Sequence, residues 1–133
     1  MINKLALSIL LGGILLAACG PTPPDIALHP AYADLGEVSN GEIRNIEVEV
    51  QNIGGSSLRI EQISTSCGCT TAEIDPRVIP PGSTAILRIS FDSGAHGPEF
   101  VGSIQRDVFL VSNDPDDEEV TFRFSASVKS ATP

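Results

Sequence analysis

Several stretches of the chain alternate apolar and polar residues with a period of two. Ile46, Val48 and Val50 alternate with Glu47, Glu49 and Gln51, and Leu87, Ile89 and Phe91 alternate with Arg88 and Ser90. Val108 and Leu110 continue the rhythm, and the longest example sets Val120, Phe122, Phe124, Ala126 and Val128 against Thr121, Arg123, Ser125, Ser127 and Lys129. Successive side chains of a strand point to opposite faces, so each stretch predicts a half-buried β-strand. No comparable stripe at helical spacing occurs. Between the runs lie turn clusters: Ser39-Asn40-Gly41, Asn52-Ile53-Gly54-Gly55, Pro80-Pro81-Gly82-Ser83, Gly94-Ala95-His96-Gly97-Pro98 and Asn113-Asp114-Pro115-Asp116-Asp117. Gly supplies positive φ and Pro fixes φ, as tight turns require. The pattern predicts an all-β, two-sheet sandwich of about seven strands with alternate side chains from both sheets forming the core.

The first residues follow another logic. Lys4 precedes an uncharged run from Leu5 to Ala18, which ends at Cys19 and the breakers Gly20-Pro21-Thr22-Pro23-Pro24. At 14 residues the run is too short for a spanning helix, which needs about 20, and it has the layout of a secretory signal. Leu16-Ala17-Ala18-Cys19 resembles the lipobox of bacterial lipoproteins, which implies cleavage before Cys19 and acylation of that residue. The expected organisation is a signal peptide at 1–18, a lipidated Cys19 with a stiff Pro-rich spacer to residue 26, the sandwich at 27–129 and a short tail at 130–133. Acyl chains on one terminus satisfy the two-signal requirement for stable anchoring. The expected location is the periplasmic or exterior side of a membrane, with the absence of Asp after Cys19 favouring the outer membrane.

Composition narrows the partners. With 8 Lys and Arg against 17 Asp and Glu the net charge is −9, so phosphate backbones repel the chain and nucleic acid is excluded as a partner. Its length suits one domain. No nucleophile elbow, zinc-protease helix, P-loop or dinucleotide fingerprint occurs, which leaves hydrolysis, phosphoryl transfer and nicotinamide chemistry without apparatus.

Five ordered segments carry a resemblance that spans about residues 27 to 129: Val50 to Ile60, Ser66-Cys67-Gly68-Cys69-Thr70-Thr71-Ala72, Ile79-Pro80-Pro81-Gly82-Ser83, Phe91-Asp92-Ser93 and Val111-Ser112-Asn113-Asp114-Pro115. Together they resemble the DUF1573 family of exported bacterial proteins. That family is similar in pattern to the ASPM, SPD-2 and Hydin domains, whose immunoglobulin-like sandwich resembles major sperm protein and pilus chaperone domains. The resemblance implies a binding module, without an assigned activity.

One motif points to chemistry. Besides Cys19, the chain holds two cysteines, Cys67 and Cys69, separated by Gly68. On a regular strand their Cα atoms would lie about 6.6 Å apart, near the upper limit for a disulfide, so closure requires a bend, for which Gly68 is suited. Three readings stand side by side: a closed structural pair, thiol-disulfide exchange, and a soft-metal site for copper(I) or zinc. The last is similar in outline to copper-delivery proteins of oxidase assembly, yet only His29 and His96 are available as further ligands, and both read as solvated. The acidic run Asp114 to Glu119 reads as a solvated hairpin turn without the spacing of a calcium loop, and Glu47 and Glu49 as surface. The functional expectation is a lipid-anchored, non-enzymatic binding or structural module with a protein or peptide partner and no cofactor. The alternative is a thiol or copper/zinc accessory protein acting through Cys67 and Cys69.

Overall fold

The structure, a computed structural model, describes residues 19–131. The expected signal peptide and the last two residues of the tail lie outside them. Among the described residues there is no helix. Nine strands follow one another: β1 (Ile26–His29), β2 (Tyr32–Ser39), β3 (Ile43–Asn52), β4 (Leu58–Thr65), β5 (Thr70–Asp75), β6 (Val78–Ile79), β7 (Thr84–Asp92), β8 (Gly102–Ser112) and β9 (Glu119–Lys129). They form two sheets, one in the order β1-β3-β7-β5 and the other β2-β9-β8-β4-β6.

The expected sandwich is therefore present, with nine strands in place of about seven. Three of the nine, β1, β2 and β6, lie at sheet edges, where the sequence shows no alternating run. β6 is a pair of residues that extends the sheet beside Leu58 and Arg59. β1 and β2 are one edge segment divided between the sheets. β1 pairs antiparallel with β3, and after Pro30 the chain crosses to pair with β9, the one parallel pairing among the described residues.

Packing follows the alternation. Val48, Val50, Leu87, Ile89, Val108, Leu110, Phe122 and Phe124 are all fully buried, whereas Glu47, Glu49 and Arg88 face water. The sheets interlock where Phe91 of β7 meets Phe124 of β9 edge to face at a centroid distance of 5.4 Å. Such a pair contributes about 1 kcal/mol beyond its buried area.

The strand directions define two poles. Asn52, the loops at 53–57, 80–83 and 113–118 and the N-terminal segment gather at the first; Ser39, Ile43, the β4–β5 turn and the β7–β8 loop gather at the second. The nine steps of β3 separate them by about 30 Å.

The segment expected as a spacer is bound to the first pole from Thr22 onward. Ser56 Oγ donates to the Thr22 carbonyl (2.7 Å), Gly55 N to Pro23 (3.1 Å) and Ile53 N to Asp25 (2.8 Å), and Pro24 is buried. This contact explains Gly54-Gly55. Neither has positive φ, but a Cβ on Gly54 would overlap the Pro23 carbonyl, and one on Gly55 the Thr22 side chain. Close approach, not turn conformation, requires glycine there.

Candidate functional site

The β4–β5 connection carries Cys67, Gly68 and Cys69 from one sheet to the other at the second pole. Short backbone bonds set this turn. Thr70 N donates to the Cys67 carbonyl (3.2 Å), Asp92 N to the Cys69 carbonyl (2.9 Å) and Ser66 N to the Asp107 carbonyl (2.9 Å). The Thr65 hydroxyl lies 3.0 Å from the Cys67 carbonyl and 3.1 Å from that of Thr70. The turn brings the two Cα atoms to 5.2 Å, and Cys67 and Cys69 are joined as a disulfide.

The anticipated bend is present, but it does not use glycine's freedom. Gly68 lies outside the left-handed region, and a Cβ there would meet no atom within 4 Å. A Gly68→Ala protein is thus expected to keep the disulfide and to be as stable as the parent or about 0.5 kcal/mol more so, since alanine restricts the unfolded chain. Thermal unfolding together with thiol counting checks this; loss of the disulfide in Gly68→Ala would contradict it.

The bridge adds little to folding by itself. Cross-linking residues this close in sequence restricts the unfolded chain by about 1.5 kcal/mol, half of what a 15-residue loop gives. The turn is already specified by the hydrogen bonds that surround it.

Two further side chains complete the cluster. Arg106 occupies an inward position of β8, in register with buried Ile104 and Val108, and reaches across the open pole. Its Nε lies 3.4 Å from Cys69 Sγ. His96, exposed on the β7–β8 loop, places Nε2 3.5 Å from Cys67 Sγ and 3.3 Å from an Arg106 terminal nitrogen. A guanidinium can only donate, so this contact makes Nε2 an acceptor and assigns the neutral ring's proton to Nδ1.

The loop bearing His96 is held in place from below. Asn40, buried in the β2–β3 turn, donates through Nδ2 to the carbonyls of Gly97 (2.9 Å) and Phe100 (2.8 Å), and Phe100 packs on the imidazole at a centroid distance of 5.3 Å. Gly97 takes φ +96°, a conformation open to glycine. His96 is therefore solvated, as its sequence context indicates, and also fixed beside sulfur, which that context does not indicate.

The two sulfurs differ. Cys69 is 4% exposed and has Thr70 Oγ1 at 3.5 Å besides Arg106, whereas Cys67 is half-buried and accepts the Cys69 amide at 3.1 Å. Cys67, Cys69 and His96 bring three soft-metal donors within 4.8 Å of one another. Using them for copper(I) or zinc requires opening the disulfide into thiolates and withdrawing Arg106, whose cationic head lies against two of the three donors.

The remaining sequence candidates lie apart from this cluster. His29 is exposed at the end of β1, and Cys19 is exposed ahead of the docked N-terminal segment at the other pole. A shallow hollow on the outer face of β3, β5 and β7 is lined by Asn45, Glu47, Thr71, Glu73, Arg88 and Ser90.

Residues 24–127 match the family described as HYDIN/CFA65/VesB-like, Ig-like domain. A protein of unknown function from Porphyromonas gingivalis W83 is similar in structure, with 27% identity and a TM-score of 0.67 over 78% of this chain and 46% of that one. The VesB protease of Vibrio cholerae is similar at 13% identity and a TM-score of 0.63, over 77% of this chain and 31% of that one. PapD-like domain 7 of human CEP192, an ASH domain, aligns with 96% of this chain and 99% of its own at 12% identity and a TM-score of 0.53. The likeness to the last two is one of fold, and the chain spans less than half of both bacterial proteins. No curated protein matches it in sequence.

Proposed function

Because the chain belongs to the HYDIN/CFA65/VesB-like Ig-like domain family, we propose that it is a binding module held on a bacterial envelope membrane by lipid at Cys19. The Ig-like, PapD-like fold points to a non-enzymatic module. The motifs around Ser66 to Ala72 and Val111 to Pro115 support the finer reading of a DUF1573-like exported protein.

The observation that carries the anchored reading is the position of Cys19 beside a docked arm. Cys19 is exposed and unbridged, and packing of the domain begins at Thr22, so acylation disturbs no contact of the fold. Three residue steps reach at most about 10 Å, so a lipid at Cys19 holds the first pole close to the bilayer. The other pole then faces away from it. Strand β5 ends its sheet with an unpaired edge, onto which an extended peptide of a partner protein can add. The expected location is the outer membrane of an envelope, with no nucleic acid and no resident cofactor.

Metabolic labelling of cells with an alkyne fatty acid tests the anchor. The parent chain is expected to take up label and to lose it in Cys19→Ser, while the Cys67–Cys69 bridge still forms. A parent chain that carries no label would refute the anchored reading.

A further inference from the structure

We propose that the Cys67–Cys69 disulfide is an exchange site for a dithiol on a partner protein, with Cys67 as the sulfur attacked and Cys69 as the sulfur released. This goes beyond the anchored module and does not depend on the lipid.

Access selects the sulfur. A thiolate must approach one sulfur along the line of the S–S bond, from the side opposite the other. Cys67 is half-buried at the rim of the pole, whereas Cys69 is 4% exposed between the sheets.

Charge selects the same direction. As the bond breaks, negative charge collects on the departing sulfur, and exchange is faster when that charge is stabilised. Cys69 Sγ already has the Arg106 Nε–H at 3.4 Å and the Thr70 hydroxyl at 3.5 Å, so the donors stand where charge will appear before the reaction starts.

The steps balance. One thiolate of the partner attacks Cys67 Sγ; a partner–Cys67 disulfide forms, the Cys67–Cys69 bond breaks, and Cys69 leaves as thiolate beside Arg106. The partner's second thiolate then attacks its own sulfur in the mixed disulfide and releases Cys67. The partner has lost two electrons and become a disulfide, the pair has gained them, and the partner's two protons end on Cys67 and Cys69. In the reverse direction the Cys67 thiol, at the half-buried rim of the pole, gives its proton to water before it attacks.

The turn tolerates this cycle. Its backbone bonds from Thr70, Asp92 and Ser66 and the Thr65 hydroxyl do not involve the bridge, so the fold does not require a closed pair. Arg106 also decides against a metal cluster, because a guanidinium lying on Cys69 Sγ and His96 Nε2 assists a transient thiolate and obstructs a cation.

The test uses the full-length oxidised protein and dithiothreitol as the dithiol probe, with thiols counted by alkylation and mass spectrometry and folding followed by far-ultraviolet circular dichroism. The pair is expected to open while the protein stays folded. Arg106→Gln is expected to slow opening about tenfold, and Arg106→Lys, which keeps a cation, to recover most of the rate. With an aromatic disulfide as trap, Cys67 in the Cys69→Ser protein is expected to react at least about tenfold faster than Cys69 in Cys67→Ser. A bridge that opens only on unfolding, an unchanged rate in a folded Arg106→Gln protein, or a faster Cys69 would each overturn the proposal.

Discussion

An Asn52→Ala protein is expected to lose about 4 kcal/mol of folding stability, the combined effect of four hydrogen bonds, one buried and three partly buried, lost with their partners left unpaired. Asn52 is 1% exposed at the end of β3. Its Nδ2 donates to the carbonyls of Ser56 (2.7 Å) and Ile79 (2.9 Å), and its Oδ1 accepts from Gly54 N (3.1 Å) and Asp25 N (3.4 Å). One side chain thus ties the β3–β4 loop, the end of β6 and, through the Asp25 amide, the N-terminal segment. Alanine fills less space and satisfies none of these groups. For a domain of this size the loss lowers the melting temperature by about 20 °C, measurable by scanning calorimetry. Asn52→Asp sharpens the point, because it keeps Oδ1 but turns a carboxylate oxygen toward two carbonyls. A fall below about 1 kcal/mol in Asn52→Ala would show that water replaces these bonds and that the pole is looser than described.

The second large effect lies a few ångströms away, at Asp114. Its Oδ2 accepts from Ile26 N (2.9 Å), and its Oδ1 from Asp116 N (2.9 Å) and Asp117 N (3.2 Å), at 1% exposure. Burial pushes its carboxyl upward, but the three amides outweigh burial and hold the pKa below the ordinary carboxylate value. Asp114→Ala orphans all three donors and is expected to cost about 3 kcal/mol at neutral pH. The sign of the pH dependence follows from the depressed pKa. The ionised carboxylate stabilises the fold fully above the unfolded-state value of about 4, and that share is lost as pH falls through the lower folded-state value. Denaturant midpoints of the parent and Asp114→Ala are therefore expected to converge as pH falls below about 4. A gap that stays constant from pH 7 down to about pH 2 would assign the effect to shape instead of charge. Asp107, also lowered by its hydrogen bond with Arg123, adds little to this profile, because that pair is exposed and screened.

Both residues illustrate what alternation can and cannot reveal. The strands with Val48, Leu87, Leu110 and Phe122 were legible because one face is buried and the other is wet, which a period of two records directly. The acidic run was legible only as a turn. Asp116 and Asp117 are solvated as expected, but Asp114 turns inward to meet Ile26, 88 positions away, and no local pattern encodes that partner. The division of β1 from β2 escaped for a related reason: four paired residues in one sheet and the start of another leave too short a rhythm.

In the thiol cluster, Cys67 and Cys69 were legible as a pair because they are two positions apart. His96 and Arg106 come from 29 and 37 positions away and meet the sulfurs only when the sheets close. One local sign of Arg106 does exist. It is a cation at an inward position between Ile104 and Val108, and a charge placed in an apolar register needs a partner inside.

The parallel pairing of β2 with β9 also bears on how the chain comes to be folded. Tyr32 Oη and Ser125 Oγ lie 2.6 Å apart yet 93 positions distant in sequence. During synthesis from the N-terminus, β2 exists for most of the chain's length before its neighbour does. The flank of that sheet cannot be zipped until β9 is present, and closing so long a loop makes assembly late and slow. The β2 flank of that sheet therefore stays open until the last strand of the chain has been made.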